Sequence, residues 1–549
     1  MIYSFAFVFA LAAAILSLPR IIIIAERLQI YDRPDERKVH SDLTPRIGGI
    51  AVALSVIISL MFMQQLETSL TGYIIGAIIV FGFGFYDDIW GLSWRIKFLG
   101  QFAAAIIALV FLQVNLNGVQ FFGFEIPLPQ WLVFTGLVFF IVGGMNSLNL
   151  LDGLDGLASG VSLLIFIGYG YNAILNDNIA IVLISLAFAG SILGFLRYNA
   201  YPAKIFLGDS GSLLLGFTLS TVPLLQNNPG GALHMTLPII LLSVPIIDTV
   251  RVSVMRLVRR GNPFLPDKTH LHHRLLSVQV RHDLAVLTMH GLTAIFVILS
   301  FFIDFLPQTV LFILYMMAIM LTLFLPNVIK GLRSIGWVQR KYYELTENYS
   351  ILGLRQIIGY FGNQTLLRHS IILFLLTQFL LIDYQSVQFY PIAFILLAML
   401  VYFFFNTGSW SDQFLVITVL ISVIYFQSMT SLRFNFGDPT YYAIVDILNK
   451  ASIMLTGFIL SCVLISEEKI DHKQILQPID YLVFIILFLI FIMPYDTVNL
   501  TLDRYNIAKA AVIYLGIKSL FSFSVQGNRR VIFSIFMLLL ATGTVGVLF

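Results

Sequence analysis

The sequence predicts an all-α polytopic membrane protein, and three observations carry that prediction. Of 549 residues, 58% are hydrophobic and 11% charged, where a soluble domain carries about 25% charged. Apolar runs of spanning length recur along the whole chain. Basic residues crowd into alternate connections between those runs, which is how charge sets orientation across a bilayer. The net charge of +3 decides little by itself. A single cysteine, Cys462, excludes an intrachain disulfide framework and a cysteine-based zinc site.

The first run, 2–24, has no basic segment before it and is too long for a cleaved signal, so it reads as a retained helix. Runs follow at 47–63, 70–85, 98–113, 131–145, 157–174, 179–196, 212–225, 235–257, 284–303 and 309–325. That makes about eleven spanning helices in a first module, 1–326. Several runs fall short of the ~20 residues of a full span, so tilt or burial by neighbours is expected. Residues 327–368 are polar and mixed and read as a connector, cytoplasmic and partly lying on the membrane. Further runs between 369 and 549 make a second membrane module of about six or seven helices, with dispersed charges and no dense polar cluster.

Arg27, Arg33, Arg37, Lys38 and Arg46 follow run one, and Arg95 and Lys97 follow run three. Arg197 and Lys204 follow run seven, and Arg256, Arg259, Arg260, Lys268, Arg274 and Arg281 follow run nine. The connections 64–69, 114–130, 175–178, 226–234 and 304–308 hold no Lys or Arg. The odd connections are therefore cytoplasmic, with the N-terminus outside.

That orientation sends every unusual polar motif of the first 325 residues to one face. Asn146-x-x-Asn149-x-x-Asp152-Gly-x-Asp155-Gly lies between two apolar runs, where carboxylates and carboxamides are costly. Oxygen donors alternating with glycine suit a hard cation such as Mg²⁺. Asp87-Asp88 ends run three; such a pair can hold Mg²⁺, or one acid can serve as a general base. Gly208-Asp209-Ser210-Gly211-Ser212 opens run eight and predicts a helix start with N–H groups open to phosphate, or Asp209 or Ser210 as a plain N-cap. His270-x-His272-His273 stands among cations and suits phosphate oxygens better than zinc. Arg37-Lys38-x-His40, Pro45-Arg46-x-Gly48-Gly49 and Lys97 add positive charge at the same face. Carboxylates for Mg²⁺ and cations for phosphate, at an inner membrane surface, are equipment for phosphoryl transfer between a nucleotide and a lipid.

The same motifs, with Asn199-x-Tyr-Pro-Ala-Lys-Ile-Phe206-Leu-Gly-Asp209-Ser-Gly-Ser and His270-Leu-His-His, resemble the signature set of the polyprenyl-phosphate N-acetylhexosamine-1-phosphate transferases over residues 1 to about 325. The resemblance implies a Mg²⁺-dependent enzyme (Mn²⁺ as the substitute) of the bacterial plasma membrane, with its active site in the cytoplasm. Its reaction would move a sugar-1-phosphate from a UDP-N-acetylhexosamine to undecaprenyl phosphate and release UMP, an initiating step of envelope polysaccharide or lipopolysaccharide synthesis. On that likeness Asn149 and Asp209 would ligate the metal, and Asp87, beside Asp88, would be the base or lipid-phosphate activator. Asp152 and Asp155 would organise metal and nucleotide, and Asn199 and Phe206 would form the uridine pocket. His270, His272 and His273 would meet phosphates or sugar, while Lys38, His40, Arg46 and Lys97 would bind substrate. The His-Leu-His-His form resembles the GlcNAc-1-phosphate branch, since the phospho-MurNAc-pentapeptide branch usually has three consecutive histidines.

Partners expected are the lipid bilayer, a second copy of the chain or downstream glycosyltransferases, and no nucleic acid. Two rivals come from other classes. A secondary transporter would place its acids near the bilayer midplane, and a scaffold would dock later enzymes without catalysis of its own.

Overall fold

A computed structural model describes residues 2–32, 43–60, 68–112, 117–226, 232–258, 269–278 and 282–334. Residues 335–549, and with them most of the expected connector and the whole second module, lie outside the described residues, as do Lys38 and His40.

Each of the eleven apolar runs is helical. In chain order they are α1 (Ile2–Arg27), α2 (Gly49–Leu60), α3 (Thr68–Trp90), α4 (Trp94–Phe111), α5 (Gln130–Leu151), α6 (Leu157–Leu175), α7 (Ile179–Asn199), α8 (Gly208–Thr221), the pair α9 (Thr236–Leu241) and α10 (Ser243–Val258), then α12 (His282–Phe301) and α13 (Gln308–Ser334). A short helix α11 (Leu271–Ser277) carries the histidine motif. Run nine breaks at Leu242 because Pro245 has no N–H to give the carbonyl of Leu241.

Eight of these helices are long and apolar enough to cross a membrane, among the described residues. Helix α8 is not one of them. Its 14 residues are buried from Ser210 to Thr221, so its apolar character serves neighbouring helices rather than lipid. Helix α13 runs on through Pro326 to Ser334, so the start of the expected connector is helix. The Arg274 guanidinium secures this stretch by donating to Asn327 Oδ1 at 3.1 Å and to the Leu323 carbonyl at 3.5 Å.

Small residues and hydroxyls, the usual means of close contact between membrane helices, join the bundle. Gly194 of α7 lies where a methyl group would come 2.8 Å from Ala14 Cβ of α1. Ser55 of α2 and Ser191 of α7 share a hydrogen bond of 2.7 Å, and Ser59 Oγ donates to the Ala6 carbonyl at 2.6 Å. Gly216 of α8 lies against the Met145 backbone of α5, where a methyl group would come 2.5 Å from Met145 Cα.

Two small sheets separate the ends of the bundle. A hairpin of β3 (Gly118–Phe121) and β4 (Phe124–Pro127), with β5 (Leu233–His234) parallel to β3, joins the connections that hold no Lys or Arg. The Phe122 ring at its turn rests 5.3 Å from that of Phe312 on α13. At the other end, β1 (Tyr31–Asp32) and β2 (Thr44–Pro45) pair antiparallel beside the polar motifs. The alternation read from charge is thus present as geometry. The strands are what an all-α expectation misses, because each is only two to four residues long.

Candidate active site

The site is built on the first turn of α8. Gly208 has φ +74, a left-handed conformation that glycine adopts at little cost. A side chain there would also meet Asp88 Oδ2 at 2.6 Å. The two N–H groups that follow are taken. Asp209 N donates to Asp88 Oδ1 at 2.7 Å, and Ser210 gives Asp88 Oδ2 its N–H at 3.0 Å and its hydroxyl at 2.6 Å. Asp88, whose side chain is fully buried, thus caps α8 from the end of α3. This corrects two expectations. The helix start is not open to phosphate, because a carboxylate of the chain fills it, and neither Asp209 nor Ser210 is the cap. The carboxylates of Asp87 and Asp88 serve different partners, which leaves the use of one acid as a general base open.

The glycines of Pro45-Arg46-Ile47-Gly48-Gly49 bring a second strand of backbone against this turn. Phe206 N donates to the Pro45 carbonyl at 2.7 Å, Gly48 N to that of Phe206 at 2.9 Å, and Gly49 N to that of Leu207 at 2.8 Å. A methyl group on Gly48 would come 2.6 Å from the Phe206 carbonyl. Arg46 extends from this segment to Asp88 at 3.3 Å and to Asp32 at 3.6 Å. In this structure it is an ion-pair partner of two carboxylates.

Asp87 turns the other way. Its Oδ1 accepts from Leu92 N at 2.5 Å, and its Oδ2 pairs with Lys97 Nζ at 2.8 Å. The same ammonium touches Asp209 Oδ2. Lys97 therefore bridges the acid at the end of α3 and the acid at the start of α8, and all three side chains keep some exposure. Burial first, then the neighbouring Asp87, pushes the Asp209 carboxyl up to about 7, against the opposing pull of Lys97.

The end of α5 supplies the next layer. The Asn149 amide nitrogen is buried with no partner among the described residues. Asp152 follows as the C-cap, and burial, then the charges of Asp209, Asp88 and Asp155, push its carboxyl up to about 8. Gly156, at φ +73, turns the chain into α6. Asp155 Oδ2 accepts from Ala203 N at 2.9 Å and so ties this turn to the loop between α7 and α8.

Asn199 is placed differently from the uridine contact expected of it. It is 2% exposed, its Nδ2 donates to the Ile205 carbonyl at 3.0 Å, and its Oδ1 accepts from Ser159 at 2.8 Å. Both ends of the amide shape the loop, which leaves the half-buried Phe206 ring as the expected stacking group.

The histidines close the site. A methyl group on Gly153 would come 2.8 Å from His272 Nε2, so the histidine helix lies directly against the Asp152-Gly153 turn. His272 is 1% exposed, and burial, then His273, pushes it down to about 3, so it is neutral near pH 7. Its ring lies 5.9 Å from that of His270 and 4.3 Å from that of His273. His270 Nδ1 sits 2.9 Å from Asp248 Oδ2, and Leu271 N donates to Asp248 Oδ1 at 2.7 Å. Arg251 pairs with Asp248 at 3.5 Å and donates to the Thr269 carbonyl.

Residues 70–227 match the model of glycosyl transferase family 4. The chain is 36% identical over 294 residues to the probable undecaprenyl-phosphate N-acetylglucosaminyl 1-phosphate transferase of Bacillus subtilis, covering 53% of this chain and 82% of that protein. The chain belongs to glycosyl transferase family 4. Other members similar to it are an undecaprenyl-phosphate alpha-N-acetylglucosaminyl 1-phosphate transferase of Thermotoga maritima (36% identity; 46% of this chain, 74% of that one) and a decaprenyl-phosphate N-acetylglucosaminephosphotransferase of Mycobacterium leprae (34% identity; 49% and 75%). The protein is therefore an enzyme, and the transporter and scaffold readings fall to this membership.

Against that family background the donor set can be tested for a metal. No three His, Cys, Asp or Glu side chains among the described residues are grouped to hold one. Mg²⁺ asks less of a protein, commonly one or two oxygens plus substrate phosphates. Asp209 and Asn149 fit that demand: the carboxylate is 20% exposed, and no hydrogen bond fixes which end of the amide faces inward. Three residues of this end were not singled out in the sequence: Asp32, Asp248 and Arg251. The last two left a signal, an acid and a base three residues apart inside an apolar run.

Proposed function

We propose that this chain transfers GlcNAc-1-phosphate from UDP-GlcNAc to undecaprenyl phosphate at the cytoplasmic face of a bacterial plasma membrane. A lipid phosphate oxygen attacks the phosphorus that bears the sugar. The bond from that phosphorus to the bridging oxygen breaks, giving undecaprenyl-diphosphate-GlcNAc and UMP. The observation that carries the reading is Lys97 held between Asp87 and Asp209 at the end of the bundle where the Asn149 and histidine motifs also lie.

Each residue has a task in that reading. Mg²⁺, held by Asp209 and Asn149, would supply neutralisation of diphosphate charge. Lys97 adds a cation that neutralises phosphate oxygens as the bridging bond breaks. Asp87 accepts the proton of the lipid phosphate, a monoester whose second pKa is about 6. Asp88 and Asp155 hold the α8 turn and the loop before it, and Asp152 limits the charge of the cluster. Phe206 stacks on uracil, and His273 and the neutral His272 approach sugar or phosphate. Arg46, Arg197 and Lys204 gather on the motif-bearing side of the sequence, which supports a cytoplasmic face.

The names of the relatives support GlcNAc over the phospho-MurNAc-pentapeptide alternative. UMP release by the purified full chain tests the proposal. Turnover is expected with UDP-GlcNAc, undecaprenyl phosphate and Mg²⁺, and loss of turnover with EDTA. Turnover only with UDP-MurNAc-pentapeptide would overturn the sugar, and no UMP with either donor would overturn the reaction.

A further inference from the structure

Helix α10 carries an aspartate that none of the steps above uses. Asp248 is 3% exposed on this helix, a position that costs free energy unless the carboxylate is well paired. Its two oxygens have separate tasks. Oδ2 faces His270 Nδ1 at 2.9 Å, and Oδ1 accepts from Leu271 N at 2.7 Å, the first N–H of α11. One carboxylate thus grips a ring and the backbone beside it, 22 residues away in sequence.

The groups packed around it sharpen this. Arg251 contacts Asp248 from the same helix and donates to the Thr269 carbonyl, so the residue before His270 is held as well. His272 stacks nearly parallel to His270 at 5.9 Å and abuts the Asp152-Gly153 turn. A carboxylate behind one imidazole nitrogen keeps the proton on that nitrogen and frees the other nitrogen to work. We infer that Asp248 is a positioning residue for the transfer reaction, fixing the tautomer and direction of His270 and, through α11, the seat of His272 against the Asp152 turn. The inference rests on the proposed phosphotransferase reading, since that reading gives the histidines their role.

Asparagine separates the two tasks of this carboxylate. Asp248→Asn keeps an oxygen for Leu271 N, but its NH₂ faces Nδ1 and drives the ring proton to Nε2. The full-length protein in nanodiscs should keep its melting temperature and its UDP-GlcNAc affinity in this variant. Its kcat should fall about 10- to 100-fold, by analogy with the loss of a carboxylate behind a metal-bound histidine. The double variant Asp248→Asn/His270→Gln should be no slower than His270→Gln alone, because both changes remove one unit. Multiplying losses, or wild-type kcat in Asp248→Asn, would overturn the inference.

Should wild type release no UMP, the reaction reading fails, and the pair is then judged by hydrogen–deuterium exchange at the His270 ring C2. A pH dependence that differs between wild type and Asp248→Asn supports the pairing, and identical profiles overturn it. Should Asp248→Asn prove unstable, the same exchange is read in Arg251→Gln, which disturbs Asp248 without removing it. A His270 profile unchanged from wild type in that variant counts against the inference.

Discussion

Helices α8 and α11 each receive, at their first N–H groups, a buried aspartate sent from a neighbouring helix: Asp88 from α3 and Asp248 from α10. Each aspartate also meets an arginine, Arg46 or Arg251. The difference lies in what else the carboxylate holds. Asp88 spends its oxygens on two N–H groups, a hydroxyl and a guanidinium, all structural. Asp248 spends one oxygen on backbone and keeps the other for an imidazole. Adjacent acids in sequence can therefore be unlike in use. Asp88 builds the turn, while Asp87 and Asp209 keep some exposure and share Lys97.

The comparison breaks first at Asp209. Asp209→Asn should cut UMP release about 10²- to 10³-fold, the several kcal/mol of charge stabilisation that a bound metal supplies. Its melting temperature should stay near wild type, because the side chain caps nothing. Asp88→Ala should instead lose activity and stability together. It strands two buried N–H groups at about 1–3 kcal/mol each, read as a lower melting temperature. An Asp88→Ala protein as stable as wild type would remove the capping role.

The raised Asp209 carboxyl gives a pH prediction. A carboxyl at about 7 is largely protonated below that pH and cannot ligate a cation in that form. Activity at limiting Mg²⁺ should therefore rise with pH through about 7. Saturating Mg²⁺ competes with the proton and should shift that limb to lower pH. A limb that stays fixed as Mg²⁺ varies would separate Asp209 from the metal.

Much of this was legible in the chain. Each of the eleven apolar runs of the first module became helix, and alternating basic connections foretold which of the described motifs would share an end. What was hidden depends on contacts across long stretches of sequence. The Gly-Asp-Ser-Gly segment reads as an anion site because a sequence window cannot show Asp88 arriving from 121 residues away. Asn199 reads as a ligand contact because it stands in a motif, yet Ser159 and Ile205 consume its amide. Asn199→Ala should accordingly lower stability by about 1–3 kcal/mol with KM for UDP-GlcNAc little changed. Phe206→Leu should raise KM.

The smallest expected effect lies in the two arginines, and it tests whether the caps differ in kind. Arg46 is 29% exposed and meets its acids at 3.3 and 3.6 Å, distances too long for a tight bidentate fork. Lysine keeps the charge and can reach the same carboxylates, so Arg46→Lys should leave melting temperature and kcat close to wild type. Arg251 is 14% exposed and shares its guanidinium between Asp248 and the Thr269 carbonyl. Lysine offers a point charge in place of a planar fork and cannot reproduce both contacts in one geometry. Arg251→Lys should therefore loosen the chain ahead of His270 and lower kcat several-fold, with the melting temperature almost unchanged. Equal behaviour of the two lysine variants would mean that both arginines only neutralise charge, and the distinction between a structural cap and a positioning cap would then rest on Asp248 and Asp88 alone.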